Sequence, residues 1–453
     1  MADHGGSGRR CQLVLIASPL QGHMTPMLQL GTYLHSKGCF SITIAHSEFN
    51  SPDPSKHPDF HFQPLPDNVS GTDIVCASFI HFVQTYNNNC KPHFQGHLIK
   101  IINEQKDKSN KESIVIIHDH LMFFAASVAS ELGLPNIILR SSSAAFYPAF
   151  MIIPKLHQQG RYPAQDSSLQ DIVPELHPFR YMDLPYNNRP VEETLRKITM
   201  STPNSPPSAS IYNTLEFLEE SALTEIRDHY QGPIFTIGPL HKIIPTPSTS
   251  FLEEDMSCIS WLNKQAPKSV VYVSLGSLAH VDEKVSTEMA WGLANSNQQF
   301  LWVIRPGSVH GFEWIEFLPE GLVAKFKKRG LIVKWAPQKE VLAHNAVGGF
   351  WSHCGWNSTL EGVCEGVPML CQPFVADQQL NARYLSYVWK MGIEIVVERG
   401  EIKGAIKRLL VDEEGKKMRG KAMEIQEKIK IALSHGGSSQ NSLIDLVDFI
   451  LSM

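Results

Sequence analysis

WAPQKEVLAHNAVGGFWSHCGWNSTLEGVCEGVPMLCQPFVADQ (residues 335–378) holds two short apolar runs, GGFWSHCG (348–355) and PMLCQPF (368–374), on either side of a helical stretch that begins near Trp356. A strand that is apolar along its whole length has no face to offer water, so it belongs to a parallel sheet covered by helices on both sides. The same alternation extends outward. SVVYVSLGS (269–277), QFLWVIRP (299–306) and LIVKWAP (331–337) precede these runs, and IEIVVE (393–398) follows them. An earlier series reads QLVLIASP (12–19), SITIAHS (41–47), SIVIIHD (113–119) and NIILRSS (136–142), with helices predicted over Met24–Ser36 and Met122–Leu132. Two such series predict an α/β protein with two Rossmann-like, doubly wound parallel-sheet domains.

Between the series lies GPIFTIGPLHKIIPTPSTSFLEED (232–255), rich in proline and without apolar periodicity after Ile244. It reads as an extended linker over 241–254, separating an N-terminal domain (1–240) from a C-terminal one (255–437). The last helix, 438–453, carries Leu443, Leu446, Val447, Ile450 and Leu451 on one face, with Ser438 or Ser439 as its expected N-cap.

The 453 residues are 43% hydrophobic and 19% charged, and Lys+Arg 40 against Asp+Glu 45 leaves a net charge of −5. That balance excludes a disordered chain and a polybasic nucleic-acid or membrane surface. The eight cysteines (Cys11, Cys39, Cys76, Cys90, Cys258, Cys354, Cys364 and Cys371) form no C-x-x-C pair, which argues for a reduced compartment without a disulfide framework or zinc knuckle. The run LVLIA is short for a signal segment, and LMFFAASVA (121–129) is far below the ~18 residues a membrane helix needs. A soluble, cytoplasmic, monomeric protein with no nucleic-acid or membrane partner is expected. The fingerprints G-x-G-x-x-G, G-x-x-x-x-G-K-[ST], H-E-x-x-H and G-x-S-x-G are all absent, which removes the usual dehydrogenases, P-loop kinases, zincins and α/β-hydrolases.

The chemistry concentrates in 335–378. Trp335 sits at a strand end, where doubly wound sheets bind ligands, and its indole could stack on a planar base. HCGWNS (353–358) lies at a strand-to-helix junction, so first-turn N–H groups and the helix dipole make an anion site, with His353, Asn357 and Ser358 as added donors. Glu361, four residues after Asn357, is placed to accept from a ribose diol. Asp377 and Gln378 follow the next strand and suit sugar hydroxyls. Each element alone has an ordinary structural reading: a core tryptophan, a helix cap, a solvated glutamate. Together they describe a nucleotide-sugar site. His118-Asp119-His120 invites a metal, but strand alternation sends both histidines opposite to Asp119, so no shared ion and no metal is expected.

With these residues in view, the 44 residues Trp335–Gln378 resemble the signature box of plant family 1 UDP-glycosyltransferases, from its W-A-P-Q opening through H-C-G-W-N-S to the D-Q end. QGHMTP, YVSLGS, FLWVIRP, EGVPML and the terminal G-G-S-S helix extend the similarity over essentially the whole chain. The resemblance implies a GT-B fold of two facing Rossmann-like domains, with the donor in the C-terminal one, the acceptor mostly in the N-terminal one, and the last helix packed on the N-terminal domain. It implies that Trp335 stacks on uracil, that Ala336 and Gln338 help hold base and ribose, and that Glu361 binds the ribose hydroxyls. Ser277, His353, Asn357 and Ser358 would hold the diphosphate, and Trp356, Asp377 and Gln378 the sugar; Gln at the last position resembles users of UDP-glucose.

QGHMTP also matches the family's catalytic position. His23 would be the general base, facing the interdomain cleft, with Asp119 accepting its Nδ1–H and stabilising the imidazolium. The implied reaction is inverting transfer of glucose from UDP-glucose, a co-substrate, to a hydroxyl of a small hydrophobic plant metabolite, with no cofactor. A UDP-sugar-binding protein with a relic site, or a transferase using another UDP-sugar, is the alternative; a relic predicts loss of His23 or Asp119, and both are present. Candidate acceptor contacts are Leu20, His120, Ser142, Phe146 and Ala376, within largely apolar and aromatic stretches that include Phe79–Tyr86. FSITIAHSEFNSPDPSKHPDF (40–60) resembles the subgroup that glucosylates cytokinins, steviol-type diterpenoids and small hydroxy acids, too broad a range to name one acceptor.

Overall fold

β1 (Cys11–Ile16) shows why an unbroken apolar strand demands cover on both sides. Leu13 and Leu15 enter one core with Met24, Met27 and Leu28 of the helix Gln21–His35, while Val14 and Ile16 enter another with Phe82, Val83, Phe124 and Val128. The computed structural model describes residues 10–69, 79–106, 112–187, 189–201, 206–230, 232–244, 247–326 and 329–453. The chain divides into two compact units. Unit 1 is Met1–Leu156, Asn188–Phe251 and Ala432–Met453; unit 2 is His157–Asn187 and Leu252–Ile431.

Unit 1 adds β2 (Phe40–Ser47), β3 (His61–Leu65), β4 (Ser113–Asp119), β5 (Asn136–Arg140), β6 (Ala209–Tyr212) and β7 (Ile234–Thr236), all parallel in the order β3-β2-β1-β4-β5-β6-β7. The winding reverses between β1 and β4, the switch point where such sheets bind ligands beyond their carboxyl ends. The final helix, Ser438–Ser452, buries Leu443, Leu446 and Ile450 in the same core as Leu13 and Leu15. Each such side chain contributes roughly 1.5–3 kcal/mol.

Unit 2 contains β8 (Val270–Ser274), β9 (Gln299–Val303), β10 (Gly330–Val333), β11 (Val347–Ser352), β12 (Met369–Cys371) and β13 (Gly392–Glu394), parallel in the order β10-β9-β8-β11-β12-β13. Its switch point lies between β8 and β11. One face packs Val271, Val273, Trp302, Trp351 and Leu370 against the helices Glu283–Ser296 and Arg399–Leu410.

Several expectations need correction. β3, β6 and β7 were not anticipated: HFQPL holds a proline, tolerated because β3 is an edge strand, and the four-residue ASIY and three-residue IFT are too short to show a period. The last helix is capped by Gly437, not by Ser438 or Ser439, with extended backbone and no side-chain cap; Ser439 is buried. The segment read as an extended linker begins as a short helix, Leu240–Ile243, and is tied to unit 1. Thr249 Oγ1 lies 2.8 Å from Thr25 Oγ1, and Lys56 Nζ donates to the Ser248 carbonyl at 2.9 Å. Cys76, Pro245 and the side chains of Phe79 and Ile80 lie outside the described residues; the other seven cysteines form no disulfide among the described residues. Among the described residues, no helix is long and apolar enough to cross a membrane.

Candidate active site

In unit 1, His23 sits in the first turn of the helix after β1, and Asp119 is the last residue of β4. Because β1 and β4 pair directly, the two side chains meet beyond the sheet's carboxyl edge, with Nδ1 2.7 Å from Asp119 Oδ2. Asp119 is 0% exposed and His23 19%, so the carboxylate is walled in while the imidazole reaches the surface. Asp119 Oδ1 accepts the Leu121 N–H at 2.8 Å, and Ser141 Oγ donates to Oδ2 at 3.2 Å while lying 2.9 Å from His23 Nδ1. Burial alone would raise the Asp119 pKa. The facing imidazoles of His23 and His120, with these hydrogen bonds, outweigh it and hold the carboxyl well below the usual range. An ionised carboxylate on Nδ1 keeps the proton there and leaves Nε2 as the lone-pair nitrogen. Sequence reasoning missed Ser141. Its signal was available: it is the first residue past β5, beside β4, at the edge where His23 and Asp119 meet.

The alternation argument holds for His118 and fails for His120. His118 is buried, with Nε2 3.2 Å from Asn136 Oδ1. The strand ends at Asp119, however, and the turn that follows brings His120 Nδ1 to 3.8 Å from Asp119 Oδ2 and its ring to 5.3 Å from His23. His23, Asp119 and His120 thus gather their ligand atoms within 4.8 Å. Burial pushes the His120 imidazole down to about 3, so it is neutral at ordinary pH, and Nδ1 is buried without a hydrogen-bond partner. Phe146 lies 6.5 Å from His120; Leu20 and Ser142 are also in unit 1, at the N-cap of the His23 helix and just past β5. Ala376 belongs to unit 2.

In unit 2, Ser277 follows β8 and His353 follows β11, the pair of strands at that switch point. The His353 ring is wedged between two glycines. A Cβ on Gly276 (φ +78) would stand 2.6 Å from it, and one on Gly355 would stand 2.4 Å from Nε2. With no acidic partner to offset desolvation, the imidazole is pushed down to about 4 and is a neutral hydrogen-bonding group. Cys354, at φ 62, turns the chain sharply from β11 into the helix Trp356–Cys364, whose first turn carries Asn357 and Ser358. The Trp356 indole is buried against Trp389, 6.4 Å between centroids.

Trp335 stands just past β10 and is 9% exposed, with Ala336 beside it at 3%. Gln338 ties the neighbouring elements together: Nε2 donates to Glu361 Oε2 at 2.7 Å and to Ser358 Oγ at 2.9 Å, and Oε1 accepts from Tyr272 Oη at 3.2 Å. Gln338, Ser358 and Glu361 therefore form one hydrogen-bonded row. Beyond β12, Asp377 stands at the N-terminal end of the helix Gln378–Arg383 without a side-chain cap. Its Oδ2 is held by Asn381 Nδ2 at 3.1 Å, and the same amide reaches the Cys354 carbonyl at 2.9 Å. Asn381 is a second residue that sequence reasoning missed. Gln378 Oε1 accepts the N–H groups of Phe374 and Val375 at 2.8 and 3.1 Å, which orients Nε2 as the outward donor. Ala376, in the same turn, is held at φ 62, a strained position for a residue with a Cβ.

The family model for UDP-glucoronosyl and UDP-glucosyl transferases matches residues 250–425, the span that contains all of these unit 2 groups. UDP-glycosyltransferase 76H1 of Stevia rebaudiana is 65% identical over 94% of this chain and 100% of its own length. The chain belongs to the plant family 1 UDP-glycosyltransferases. It is a glycosyltransferase enzyme with the two parallel-sheet units of the GT-B fold. Flavonol 3-O-glucosyltransferase UGT76E12 of Arabidopsis thaliana is 45% identical over 98% of both chains. Among solved structures, Medicago truncatula UGT71G1, complexed with UDP-glucose, superposes with a TM-score of 0.82 at 26% identity, covering all of both chains.

Proposed function

We propose that this glycosyltransferase moves glucose from UDP-glucose to a hydroxyl of a small, mostly apolar metabolite with inversion at the anomeric carbon. The observation that carries this reading is the 2.7 Å pair of His23 with the fully buried, ionised Asp119 at the β1/β4 switch point. Nε2 of His23 takes the proton of the acceptor hydroxyl. The oxygen forms a bond to C1 of the α-linked glucose from the face opposite the diphosphate, the C1–O bond to phosphate breaks, and UDP leaves with its electron pair. Asp119 stabilises the imidazolium so formed, as in a His–Asp pair whose third member is the substrate hydroxyl.

On the donor side, Trp335 stacks on uracil and Ala336 helps hold it. Gln338 and Glu361 take the ribose, and Gln338 keeps Glu361 oriented. The diphosphate is met by Ser277, His353, Asn357, Ser358 and the first-turn N–H groups, including that of Trp356, which the sequence reading places on the sugar but whose buried ring leaves its backbone as the contact. Neutral donors and a helix dipole carry the leaving charge, so the reaction is taken to run without a metal ion. Asp377 and the Nε2 of Gln378 read the sugar. The acceptor wall is drawn from Leu20, His120, Ser142 and Phe146, with Ala376 beside the sugar. The Arabidopsis flavonol glucosyltransferase and the Medicago complex with UDP-glucose favour glucose. A cytoplasmic monomer is the corresponding cellular form.

Mixing the enzyme with UDP-glucose and a panel of phenols and aliphatic alcohols, and following UDP release and product mass, tests the reading. Release of UDP with a β-linked hexoside is expected. Donor binding without turnover across the panel would contradict it and favour a relic binding protein. Faster turnover with another UDP-sugar would overturn the glucose assignment alone.

A further inference from the structure

The excursion His157–Asn187 belongs to unit 2 although both flanking segments belong to unit 1, and its middle grips one particular helix. The Pro178 carbonyl accepts from Arg383 Nε at 3.1 Å, and the Phe179 ring meets Tyr384 edge-on at 5.2 Å. Arg180, 12% exposed, bridges two carboxylates: Nε and Nη2 bind Asp183 at 3.0 and 2.8 Å, and Nη2 also binds Glu394 Oε2 at 2.7 Å. Glu394 ends β13, and its other oxygen accepts from Ser386 Oγ at 2.6 Å.

Arg383 and Tyr384 lie at the far end of the helix Gln378–Arg383, which continues into a π-turn, Tyr384–Val388, closed by the Trp389 N–H on the Tyr384 carbonyl at 2.7 Å; Glu394, on β13, reaches that turn through Ser386. A helix of six residues has almost no stability of its own, so its direction is set by what holds it. At 1.5 Å per residue it is a lever of roughly 9 Å. A tilt of about 10° at the gripped end would displace Gln378 by roughly 1.5 Å, more than the ~1 Å that costs a positioned group much of its effect.

We propose that Arg180, acting through Glu394 and the Arg383–Tyr384 end of this helix, is a positioning residue for recognition of the transferred sugar. The proposal rests on the reading of Asp377 and Gln378 as the sugar contacts. It assigns a part in donor selectivity to a residue lying more than 190 positions before Gln378 in the chain.

Glu394→Gln is the informative variant, because it leaves the Arg180–Asp183 pair whole and does not orphan the buried Asp183 carboxylate. Arg180→Lys keeps the charge but loses the fork that spans two carboxylates. Each is measured in the full-length enzyme with one fixed acceptor, against UDP-glucose and UDP-galactose, with UDP affinity read by calorimetry. The expected result is a UDP-glucose KM raised ~3–10-fold, a glucose-to-galactose ratio lowered by about threefold or more, and UDP affinity within about twofold of the parent. The double variant should be no worse than the poorer single one, since both changes break one link. Unchanged KM and ratio, or a parallel loss of UDP and UDP-glucose affinity, would overturn the proposal. Gln378→Ala is the control. If it shifts the ratio and Glu394→Gln does not, positioning by Arg180 fails while the sugar reading stands; if Gln378→Ala leaves the ratio unmoved, the sugar reading itself fails.

Discussion

The carboxyl ends of β1 and β4 in unit 1 and of β8 and β11 in unit 2 are the same place in the same architecture, yet they carry opposite chemistry. In unit 1 the switch point holds a buried carboxylate that keeps its charge, because the facing His23 imidazole, its hydrogen bond and the Leu121 N–H compensate its burial. In unit 2 it holds His353, which has no such partner and is therefore neutral, beside a helix N-terminus that offers N–H groups. The topology supplies the location. Which groups stay ionised there decides whether the location moves a proton or cradles an anion.

That contrast predicts two separable kinds of damage. The largest effect belongs to unit 1: His23→Ala should cut turnover ~10²–10⁴-fold with an ordinary alcohol acceptor, while calorimetry finds UDP binding within about twofold of the parent. Glu361→Ala should do the reverse, weakening UDP and UDP-glucose alike by ~1–3 kcal/mol, since the ribose loses a charged acceptor and Gln338 loses its anchor. Unchanged UDP affinity would leave Glu361 as a structural partner of Gln338.

Smaller still, Gln378→Glu keeps the oxygen that receives Phe374 and Val375 but removes the outward donor. It should lower efficiency with UDP-glucose by about tenfold with UDP affinity nearly intact. Gln378→His should move the glucose-to-galactose ratio towards galactose. A last effect is on stability and is confined to acid pH. Unfolded, the His353 imidazole takes up its proton near 6.5; folded, near 4. Between those values the unfolded chain binds more protons, so stability present above pH 6.5 is lost as pH falls towards 4. Denaturant melts of His353→Asn should therefore show a shallower loss over that interval and little difference above pH 7; parallel curves would mean that the ring is not held neutral.

Much of this was legible in the sequence because strand ends and short motifs coincide. His23, Asp119 and His353 sit at the ends of long or strongly apolar elements, where the period is clear, and Glu361 lies on the helix that follows His353. β3, β6 and β7 were not legible, since five, four and three residues carry too little pattern and β3 contains a proline. Gln378 was readable as a polar group beyond β12, but not that its oxygen is spent on its own turn. His120 was misassigned because alternation was carried one residue past the end of β4. Ser141 was readable as the residue just past β5, and Asn381 as the helical neighbour of Asp377, but the grip of Arg180 on Glu394 depends on segments meeting in space, and nothing in their spacing along the chain announces it.

The most direct test of the proton-transfer claim compares parent and His23→Ala across a series of acceptors graded in hydroxyl acidity, from aliphatic alcohol to strongly acidic phenol, at one pH with saturating UDP-glucose. If His23 removes the acceptor proton, the rate deficit should be ~10²–10⁴-fold at the alcohol end and shrink steadily towards unity for a phenol that is already ionised. A deficit of constant size along the whole series, or none at all, would contradict a general base at His23.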